Sequence, residues 1–591
     1  MAQNPERDPS IDTSVDNPPA PSATAAPGSA PPASTAAVQP RKAASLIVLR
    51  DAPGGRGLEV LMLRRADKPG DQNSGAAVFP GGLLDKADAG HHELCTGLSD
   101  AQASQRLDCA ANGLDYWIAA VRECFEEAGL LFAVDASGAL SNLDAHADPA
   151  ALVAMRHALH ANQISMSEVC AQLGVKIAAD QLAYFSHWMT PAGMPKVFDT
   201  RFFVTTAAPH QTALHDTTET VELLWITPAQ ALDKARGLKL MNVTSVTLKH
   251  LAGFTSAQAV IDASLAQTRM PMIRPRLATD PNAKNARTVL MAGDWAYAEA
   301  GRLDPEGRAT TSTELTPGVP VWLSPRVLRV TADNGSMMTG PGTNAYFIGA
   351  PGSDSWALLD PGPDDADHVQ ALLAAAPGKI TRILATHTHK DHSPAVAAIK
   401  AATGAPSAGR VATYPEWQDQ TFQPDQVLAD GERLQLGEGV TLRVIHTPGH
   451  ASNHLCYLLE EEQLLFTGDH LMQGSTVVIN PPDGDMAVYL ASLNRLLDIP
   501  LQWLAPGHGF LIDQPHEVVH KTIAHRLARE AKVLAAVQAQ GPADEQALLA
   551  TVYADTPPKL HAMALRSLRA HLLKLHGDGV VTSTDGGQWQ V

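Results

Sequence analysis

The sequence predicts a multidomain protein of the α/β and α+β classes. Its 591 residues are enough for about three or four domains. In the second half, several strand-like apolar runs each end in a turn that carries histidine or aspartate, whereas the first half has two strand-like runs and an acidic helix. Three helical patterns and a short hairpin close the chain. These changes predict five parts, residues 1–42, 43–253, 254–324, 325–515 and 516–591.

Residues 1–42 are rich in proline, alanine, serine and threonine, and we expect them to be disordered. They lack the basic start and apolar core of a secretory signal. The five cysteines of the chain are widely spaced without a CxxC pair, which is typical of a reducing compartment. No run approaches the roughly 18 apolar residues of a membrane span. We therefore expect a cytoplasmic protein without a membrane partner, and the net charge of −18 argues against binding to duplex DNA.

Residues 43–253 begin with two predicted strands, 45–49 and 58–63, around a turn at 53–55. A helix is predicted to begin near Asp115. It carries Glu123, Glu126 and Glu127 close together, with Arg122 placed to pair with Glu126. Grouped carboxylates suit Mg²⁺, which prefers oxygen ligands and substrate phosphates. An ordinary acidic helix face is the alternative interpretation of this helix taken alone.

Two motifs of this part resemble those of the Nudix hydrolases, Phe79-Pro80-Gly81-Gly82 and Arg122-Glu123-Cys124-Phe125-Glu126-Glu127-Ala128-Gly129-Leu130. The resemblance implies an α/β/α sandwich that splits nucleoside diphosphates linked to another group. It also implies that Glu123, Glu126 and Glu127 are catalytic and bind Mg²⁺ or Mn²⁺, with Arg122 behind them. A polar insertion at 86–113 puts Asp108 and Leu114 where the family has a glycine and a glutamate. The insertion, with the segments 187–191 and 198–203, is similar to the coenzyme A diphosphatase subgroup.

Residues 254–324 are rich in turn-forming residues and predict either a linker or an extension of the Nudix domain. The chemistry of the next part depends on His387-Thr388-His389-Lys390-Asp391-His392, which directly follows a strand-like run. Nitrogen and carboxylate donors suit zinc or a similar divalent ion. Alternating side chains predict one ion at His387 and His389 and a second at Asp391 and His392. Further strand-like runs precede single donors, namely Asp360, His450, Asp469 and His508.

This pattern resembles the metallo-β-lactamase superfamily, whose signature is HxHxDH followed by isolated histidine, aspartate and histidine. The resemblance implies an αβ/βα sandwich with two Zn²⁺ or similar ions. His387, His389 and His450 would bind the first ion, and Asp391, His392 and His508 the second. Asp469 would bridge both ions, Asp360 would orient the loop, and Asp391 is also the predicted catalytic residue. The set is similar to that of hydrolases acting on thioesters or phosphodiesters.

Residues 516–591 predict helices at 522–540, 543–553 and 558–576 and a hairpin near 580–591, which suggests a winged-helix domain. Lys521, Arg526, Arg529 and Lys532 give the first helix a basic face. That face either follows a nucleic-acid backbone or packs against the metal-binding domain. Together, residues 325–591 resemble the lactamase-like protein 2 subgroup, for example at 339–344, 482–486 and 525–530. That resemblance implies single-strand endoribonuclease activity in animal members.

Three functional hypotheses follow. The first is a bifunctional hydrolase with a Nudix site for a nucleotide or coenzyme A-like diphosphate and a di-zinc site for an ester, thioester or phosphodiester. In one form of it, the protein dismantles an acyl-coenzyme A, with His470 or Tyr489 contacting substrate. The second is an RNA-processing enzyme in which the winged helix holds single-stranded RNA. The third is a hydrolase regulated by a Nudix module that binds a nucleotide without turnover. The oligomeric state is left open.

Overall fold

The computed structural model describes residues 39–55, 57–67, 74–143, 148–207, 211–214, 220–282 and 286–591. The predicted disordered leader, residues 1–42, lies almost wholly outside these ranges. Within them, every helix is too short or too polar to cross a membrane.

The first part of the chain is a mixed sheet with helices around it. Its strands are β1 (Arg41–Asp51), β2 (Leu58–Arg65), β3 (Ala76–Val78), β4 (Gly81–Leu83), β5 (Cys95–Thr96), β6 (Ala133–Val134), β7 (Lys176–Ala178), β8 (Ala183–Met189), β9 (Phe198–Thr206), β10 (Thr220–Ile226), β11 (Lys239–Leu240) and β12 (Met272–Ile273). Its helices are α1 (Asp100–Leu107), α2 (Leu114–Ala128), α3 (Pro149–His160), α4 (Met166–Leu173), α5 (Pro228–Leu232), α6 (Asn242–Leu251) and α7 (Ala257–Ala266).

The main sheet has the order β11-β3-β2-β1-β9-β8-β12, with β4 paired to β1 and β10 to β2. Strand β1 is buried on both faces because its side chains alternate between two cores. Val48 packs with Trp117 and the rest of α2 on one face, while Ile47 packs with Leu248 and Val260 of α6 and α7 on the other. The result is the predicted α/β/α sandwich. The strands and the helix start predicted near Asp115 are confirmed by β1, β2 and α2.

The polar insertion at 86–113 is folded. It contains α1, which begins at a capping box formed by Ser99 and Gln102. Ala103 and Leu107 of this helix belong to the same core as α2. This helix was not predicted, because it is short and only Ala103, Ser104 and Leu107 of it are buried.

The segment 254–324 is divided between its two neighbours. Helix α7 and strand β12 pack on the first sheet, with β12 parallel to β8. The next elements pack on the following part, and they are β13 (Arg276–Thr279), β14 (Arg287–Leu290) and α8 (Tyr297–Leu303). Glu299 of α8 forms a buried two-fold ion pair with Arg329 at 2.7 and 2.9 Å, and it also accepts from the Leu511 backbone N–H at 2.9 Å. Two residues, Arg274 and Pro275, therefore separate the elements that belong to each side.

The metal-binding part consists of two sheets packed face to face. Its strands are β15 (Val321–Ser324), β16 (Val327–Thr331), β17 (Asn344–Gly349), β18 (Ser355–Leu359), β19 (Lys379–Leu384), β20 (Ser407–Gly409), β21 (Gln426–Val427), β22 (Arg433–Gln435), β23 (Thr441–His446), β24 (Leu455–Leu459), β25 (Leu464–Gly468) and β26 (Trp503–Pro506). Its helices are α9 (Ala366–Ala375), α10 (Ala395–Thr403) and α11 (Met486–Leu496).

Strands β15 to β21 form one sheet in sequence order, and β22 to β26 form the other. Tyr346 and Phe466 pack between the sheets. On the outer faces, Phe347 packs against α9 and α10, and Leu465 packs against α11. This layering is the predicted αβ/βα sandwich.

The C-terminal part consists of α12 (Pro515–Gln540), α13 (Glu545–Val552), α14 (His561–Gly577), β27 (Thr582–Ser583) and β28 (Trp589–Gln590). The predicted three helices and hairpin are confirmed, but α12 begins at Pro515 and not at Thr522. Its early residue Val519 packs in the core around α11, whereas Val533 packs in the core of the C-terminal part. One helix therefore ties the two parts together.

Candidate metal centre

The predicted donors all follow strand ends at one edge of the sandwich. Asp360 follows β18, the loop His387–His392 follows β19, and His450, Asp469 and His508 follow β23, β25 and β26. Strands β18 and β19 are parallel, and so are β25 and β26, which places their carboxyl ends together. The fold therefore brings the predicted donors to one place.

His387, His389 and His450 form a first set. His389 Nδ1 lies 2.9 Å from His387 Nε2 and 3.0 Å from His450 Nε2. Two ligands bound tetrahedrally to zinc at 2.0–2.1 Å are about 3.3 Å apart, close to this spacing.

The outer nitrogens fix which ring nitrogen carries the proton in this set. His450 Nδ1 donates to the Val478 carbonyl at 2.8 Å. His387 Nδ1 lies 3.0 Å from Thr386 Oγ1, whose own hydroxyl donates to Asp360 Oδ2. Both Nε2 atoms therefore point lone pairs at His389 Nδ1. A proton on His389 Nδ1 can be donated to only one of the two facing Nε2 atoms, whereas a cation between the rings can bind all three nitrogens.

Asp391, His392, Asp469 and His508 form a second set. His508 Nε2 lies 3.3 Å from Asp391 Oδ2 and 3.2 Å from Asp469 Oδ1, and His392 Nε2 lies 3.5 and 3.4 Å from the same two atoms. The outer Nδ1 atoms of His392 and His508 donate to Asp360 Oδ2 and to the Gly342 carbonyl. Their inner Nε2 atoms are buried without a hydrogen-bond partner among the described residues.

Asp469 connects the two sets. Its Oδ1 faces the second set, while its Oδ2 lies 3.7 Å from His450 Nε2 of the first. The carboxylates also set the charge of their neighbours. Burial alone lowers the pKa of His508, but Asp469 and Asp391 raise that pKa to about 9. Nitrogen lone pairs and carboxylate oxygens that converge in this way fit two divalent cations.

Asp360 lies behind the loop and contacts it through its carboxylate. Its carboxylate accepts from the Thr386 N–H at 2.7 Å, from Thr386 Oγ1 at 2.8 Å and from His392 Nδ1 at 3.0 Å. Gly449 allows the loop before His450 to pass close to the backbone of α11. Its φ is +135°, and a Cβ there would lie 2.3 Å from the Tyr489 Cα atom, so the loop passes directly against α11.

Sequence reasoning missed His454, which supports Asp469. This fully buried imidazole accepts from the Asp469 N–H at 3.2 Å and contacts Thr447 Oγ1 at 2.9 Å. Sequence reasoning also suggested His470 or Tyr489 as substrate contacts. Both are buried, and the Tyr489 hydroxyl donates to the His470 carbonyl at 2.8 Å, so neither side chain is available to a substrate.

A cavity of about 370 Å³ opens next to the two sets and is lined by His450 and Asp469. Its walls come from the 472–478 segment on one side and from α12 and α14 on the other, with Met472 and Met563 among the lining residues. The C-terminal part therefore contributes directly to the space in front of the donors.

The Nudix-like glutamates lie on α2 against the strand β4. Glu127 Oε2 accepts from the Gly81 N–H at 2.9 Å, and a Cβ at Gly82 would lie 2.4 Å from Glu123 Oε1. Burial raises the pKa of Glu123 to about 7, although the Arg122 guanidinium lowers it. A bound cation would favour the charged carboxylate again. The three glutamates belong to neither of the two metal-like sets found among the described residues.

Arg122 is held by a residue that sequence reasoning missed. Its Nε and Nη2 donate to the two oxygens of Asp88 at 2.8 and 3.0 Å, and Asp88 is 1% exposed. Arg122 Nη1 donates to Glu126 Oε1 at 3.0 Å, which confirms the predicted pair. Asp88 lies in the polar insertion at 86–113, so this insertion supplies a carboxylate that holds Arg122.

Family models match three stretches of the chain. Residues 98–241 match the NUDT19 Nudix domain, residues 338–508 the metallo-beta-lactamase superfamily, and residues 545–589 the beta-lactamase associated winged helix domain.

Three relatives match this chain over most of their own length. An atrochrysone carboxyl ACP thioesterase from Aspergillus chevalieri is 33% identical over 43% of this chain and 82% of its own. The beta-lactamase-like protein 2 homolog of Drosophila melanogaster is 32% identical over 44% and 90%. The corresponding homolog of Caenorhabditis elegans is 30% identical over 44% and 87%.

The paired donor sets, the layered sheets and these matches have one explanation. The chain belongs to the metallo-β-lactamase superfamily of hydrolases, with a Nudix domain before that domain and a winged-helix domain after it.

Proposed function

We propose that the metallo-β-lactamase domain hydrolyses an acyl thioester with two zinc or similar divalent ions. The observation that carries this proposal is a cavity lined both by two of the donors, His450 and Asp469, and by a group of methionine side chains. An acyl group needs such a cavity, whereas the reacting carbonyl must reach the donors. A relative named as an acyl carrier protein thioesterase supports the same substrate class.

In this proposal, His387, His389 and His450 would hold one ion, Asp391, His392 and His508 would hold the other, and Asp469 would serve both. Bound ions of this kind lower the pKa of a water molecule and polarise a carbonyl oxygen. The chain's own contribution is to orient the donors through Asp360, Thr386 and the Val478 carbonyl. Asp391 is the most exposed of the four donors in the second set, with 25% of its side chain accessible, and it is the proposed catalytic residue.

The alternative, cleavage of single-stranded RNA, depends on a free basic face on α12. Three of its four basic side chains pair with carboxylates of the same domain, two of them with one shared aspartate. Lys521 pairs with Glu517 at 2.6 Å, while Arg529 and Lys532 pair with Asp555 at 3.0 and 2.7 Å. A phosphate backbone competes poorly for cations that already have carboxylate partners. We therefore prefer the thioester, with RNA as the second candidate.

We also propose that the Nudix domain cleaves a nucleotide or coenzyme A-like diphosphate with Mg²⁺ or Mn²⁺ held by Glu123, Glu126 and Glu127. Support comes from Arg122, which donates hydrogen bonds to both Asp88 and Glu126 and so holds the glutamate-bearing part of α2 in place. Such second-layer contacts are what a preorganised metal site requires. A Nudix module that only senses a nucleotide keeps the contacts and lacks the turnover.

The remaining proposals concern organisation. We propose a cytoplasmic protein, on the strength of its unpaired and widely spaced cysteines. We keep the predicted domains 43–253, 325–515 and 516–591, and assign the segment 254–324 in two pieces, one to each neighbouring domain.

Reciprocal variants of the full chain test both sites. Asp469→Ala should abolish thioester hydrolysis and keep the Mg²⁺-dependent release of nucleotide, and Glu127→Gln should do the opposite. The substrates are an acyl thioester, a fluorogenic single-stranded RNA and a coenzyme A-like diphosphate. Cleavage of RNA without thioester hydrolysis refutes the first proposal. Binding of the diphosphate without product favours the sensor.

A further inference from the structure

The cavity beside the donors contains a buried positive charge. Arg526 of α12 lines it and is 4% exposed. Its Nη2 donates to the Val477 carbonyl, while its Nε has no hydrogen-bond partner among the described residues. Arg529, one helical turn away on the same cavity wall, has Asp555 as its partner. Within the described ranges, Arg526 makes no ion pair of this kind.

A buried guanidinium without a counter-ion is costly, because desolvation is not offset by a nearby negative charge. The Tyr489 ring, 5.5 Å from the guanidinium carbon, offsets only part of that cost. A carboxylate that enters the cavity removes the imbalance, and arginine is well matched to it in geometry.

The rest of the cavity selects the body of the ligand. Met337, Met338, Met472, Met563 and Leu560 line it. Methionine side chains adapt to apolar groups of varied shape. Arg526 is the arginine of this lining that has no carboxylate partner among the described residues, and the methionines lie in the same cavity. This combination suits a ligand that has one anionic group on an apolar body. A polyanion such as a nucleic-acid strand needs several cations.

We propose that this cavity binds the acyl group of an anionic acyl thioester, with the far carboxylate of that group paired to Arg526. The inference rests on the proposed thioesterase function and adds its substrate class. Arg526 is then a specificity-determining residue contributed by the winged-helix domain to the metallo-β-lactamase site.

The test uses two thioesters of equal length on the full chain, one ending in a free carboxylate and the other in the matching primary amide. Wild-type protein should prefer the carboxylate in kcat/KM. Arg526→Gln should lower kcat/KM for the carboxylate by about 10- to 100-fold and for the amide by less than about threefold. Arg526→Lys should keep part of the preference. Arg569→Gln, an exposed cation of the same domain that pairs with Glu545, should change neither value.

Equal losses on both substrates overturn the proposal, because Arg526 then only supports the Val477 segment. Loss of RNA cleavage alone in Arg526→Gln also overturns it, in favour of a phosphate contact. A second test uses wild-type protein alone and does not depend on how a variant folds. The dicarboxylic acid that is released from the first thioester should inhibit hydrolysis more strongly than its monoamide. Equal inhibition by the two compounds contradicts the proposal.

Hydrolysis of neither thioester by wild-type protein refutes the proposed thioesterase function separately. Calorimetric binding of the dicarboxylate then decides the anion site. Binding that Arg526→Gln abolishes supports it, and binding that is absent from wild-type protein overturns it.

Discussion

Single residues behind the donors determine how the metal centre is oriented. Each of His387, His392, His450 and His508 has its outer nitrogen directed at an oxygen, and that contact leaves the inner nitrogen free to bind a cation. Asp360 takes part in two of these arrangements, directly at His392 and through Thr386 at His387.

Asp360→Asn should weaken metal binding about 10- to 100-fold. The two carboxylate oxygens of Asp360 together accept three hydrogen bonds, and in asparagine an amide nitrogen that cannot accept replaces one of these oxygens. Competition with a chelator measures the affinity. Activity should return at excess metal. The control is Asp354→Asn, which removes an exposed carboxylate paired with Lys379. Unchanged affinity in Asp360→Asn contradicts the assigned role.

The donors could be predicted at this scale because each one follows a strand in a short, recognisable motif. His454 and Asp88 could not. His454 lies at the start of β24 without a motif around it, and its contact with the Asp469 N–H depends on how two strands pack. Asp88 lies within the insertion, 34 residues before Arg122, so only the fold brings them together.

At the scale of elements, the fit of strand β4 against helix α2 controls the Nudix glutamates. A side chain at Gly82 would occupy the space of the Glu123 carboxylate, since its Cβ would lie 2.4–2.6 Å from the carboxylate atoms. The carboxylate is the end of a flexible side chain and can move away at little cost in stability.

Gly82→Ala should therefore reduce the Mg²⁺-dependent diphosphate hydrolysis by at least about tenfold while the melting temperature changes little. Thioester hydrolysis by the same protein is the internal reference and should be unchanged. Gly293→Ala serves as the matched control, because a Cβ there meets no atom within 4 Å. Full diphosphatase activity in Gly82→Ala removes Glu123 from the proposed site.

Strands that precede donors were predicted well because apolar runs of this kind end abruptly in turns. The start of α12 was not, because the prediction followed the apolar spacing only from Ile523, although Val519 lies one helical turn earlier and the helix begins with Pro515. A proline fits the first helical position, where no backbone N–H is required. The early turns pack on α11 and not on the winged-helix core, so their pattern differs from the rest of the helix.

For the whole molecule, we propose that the segment 276–324 belongs with the metallo-β-lactamase domain. Glu299 supplies the only carboxylate seen next to buried Arg329 in the described structure, and both side chains are 2% exposed. The contact between Glu299 of α8 and Arg329 of β16 joins residues that are far apart in sequence, and no local sequence pattern predicts it. The sequence alone therefore did not assign this segment to a domain.

A fragment of residues 276–591 should be more stable than one of residues 325–591. The shorter fragment leaves Arg329 buried without its partner, a change that costs about 3–5 kcal/mol. Denaturant unfolding followed by circular dichroism compares the two. Arg329→Met should recover part of the loss in the shorter fragment. Equal stability of the two fragments argues against the assignment of 276–324.

We propose that seven donors hold two divalent ions and so make the second half of the chain a hydrolase. The full chain is purified without chelator, and one sample is used both for elemental analysis and for an assay of thioester hydrolysis. We expect two transition-metal ions per wild-type chain and per Asp498→Asn control. Asp469→Ala should lose at least one ion together with the activity. Wild-type protein that contains no transition metal and is fully active refutes the proposed metal centre.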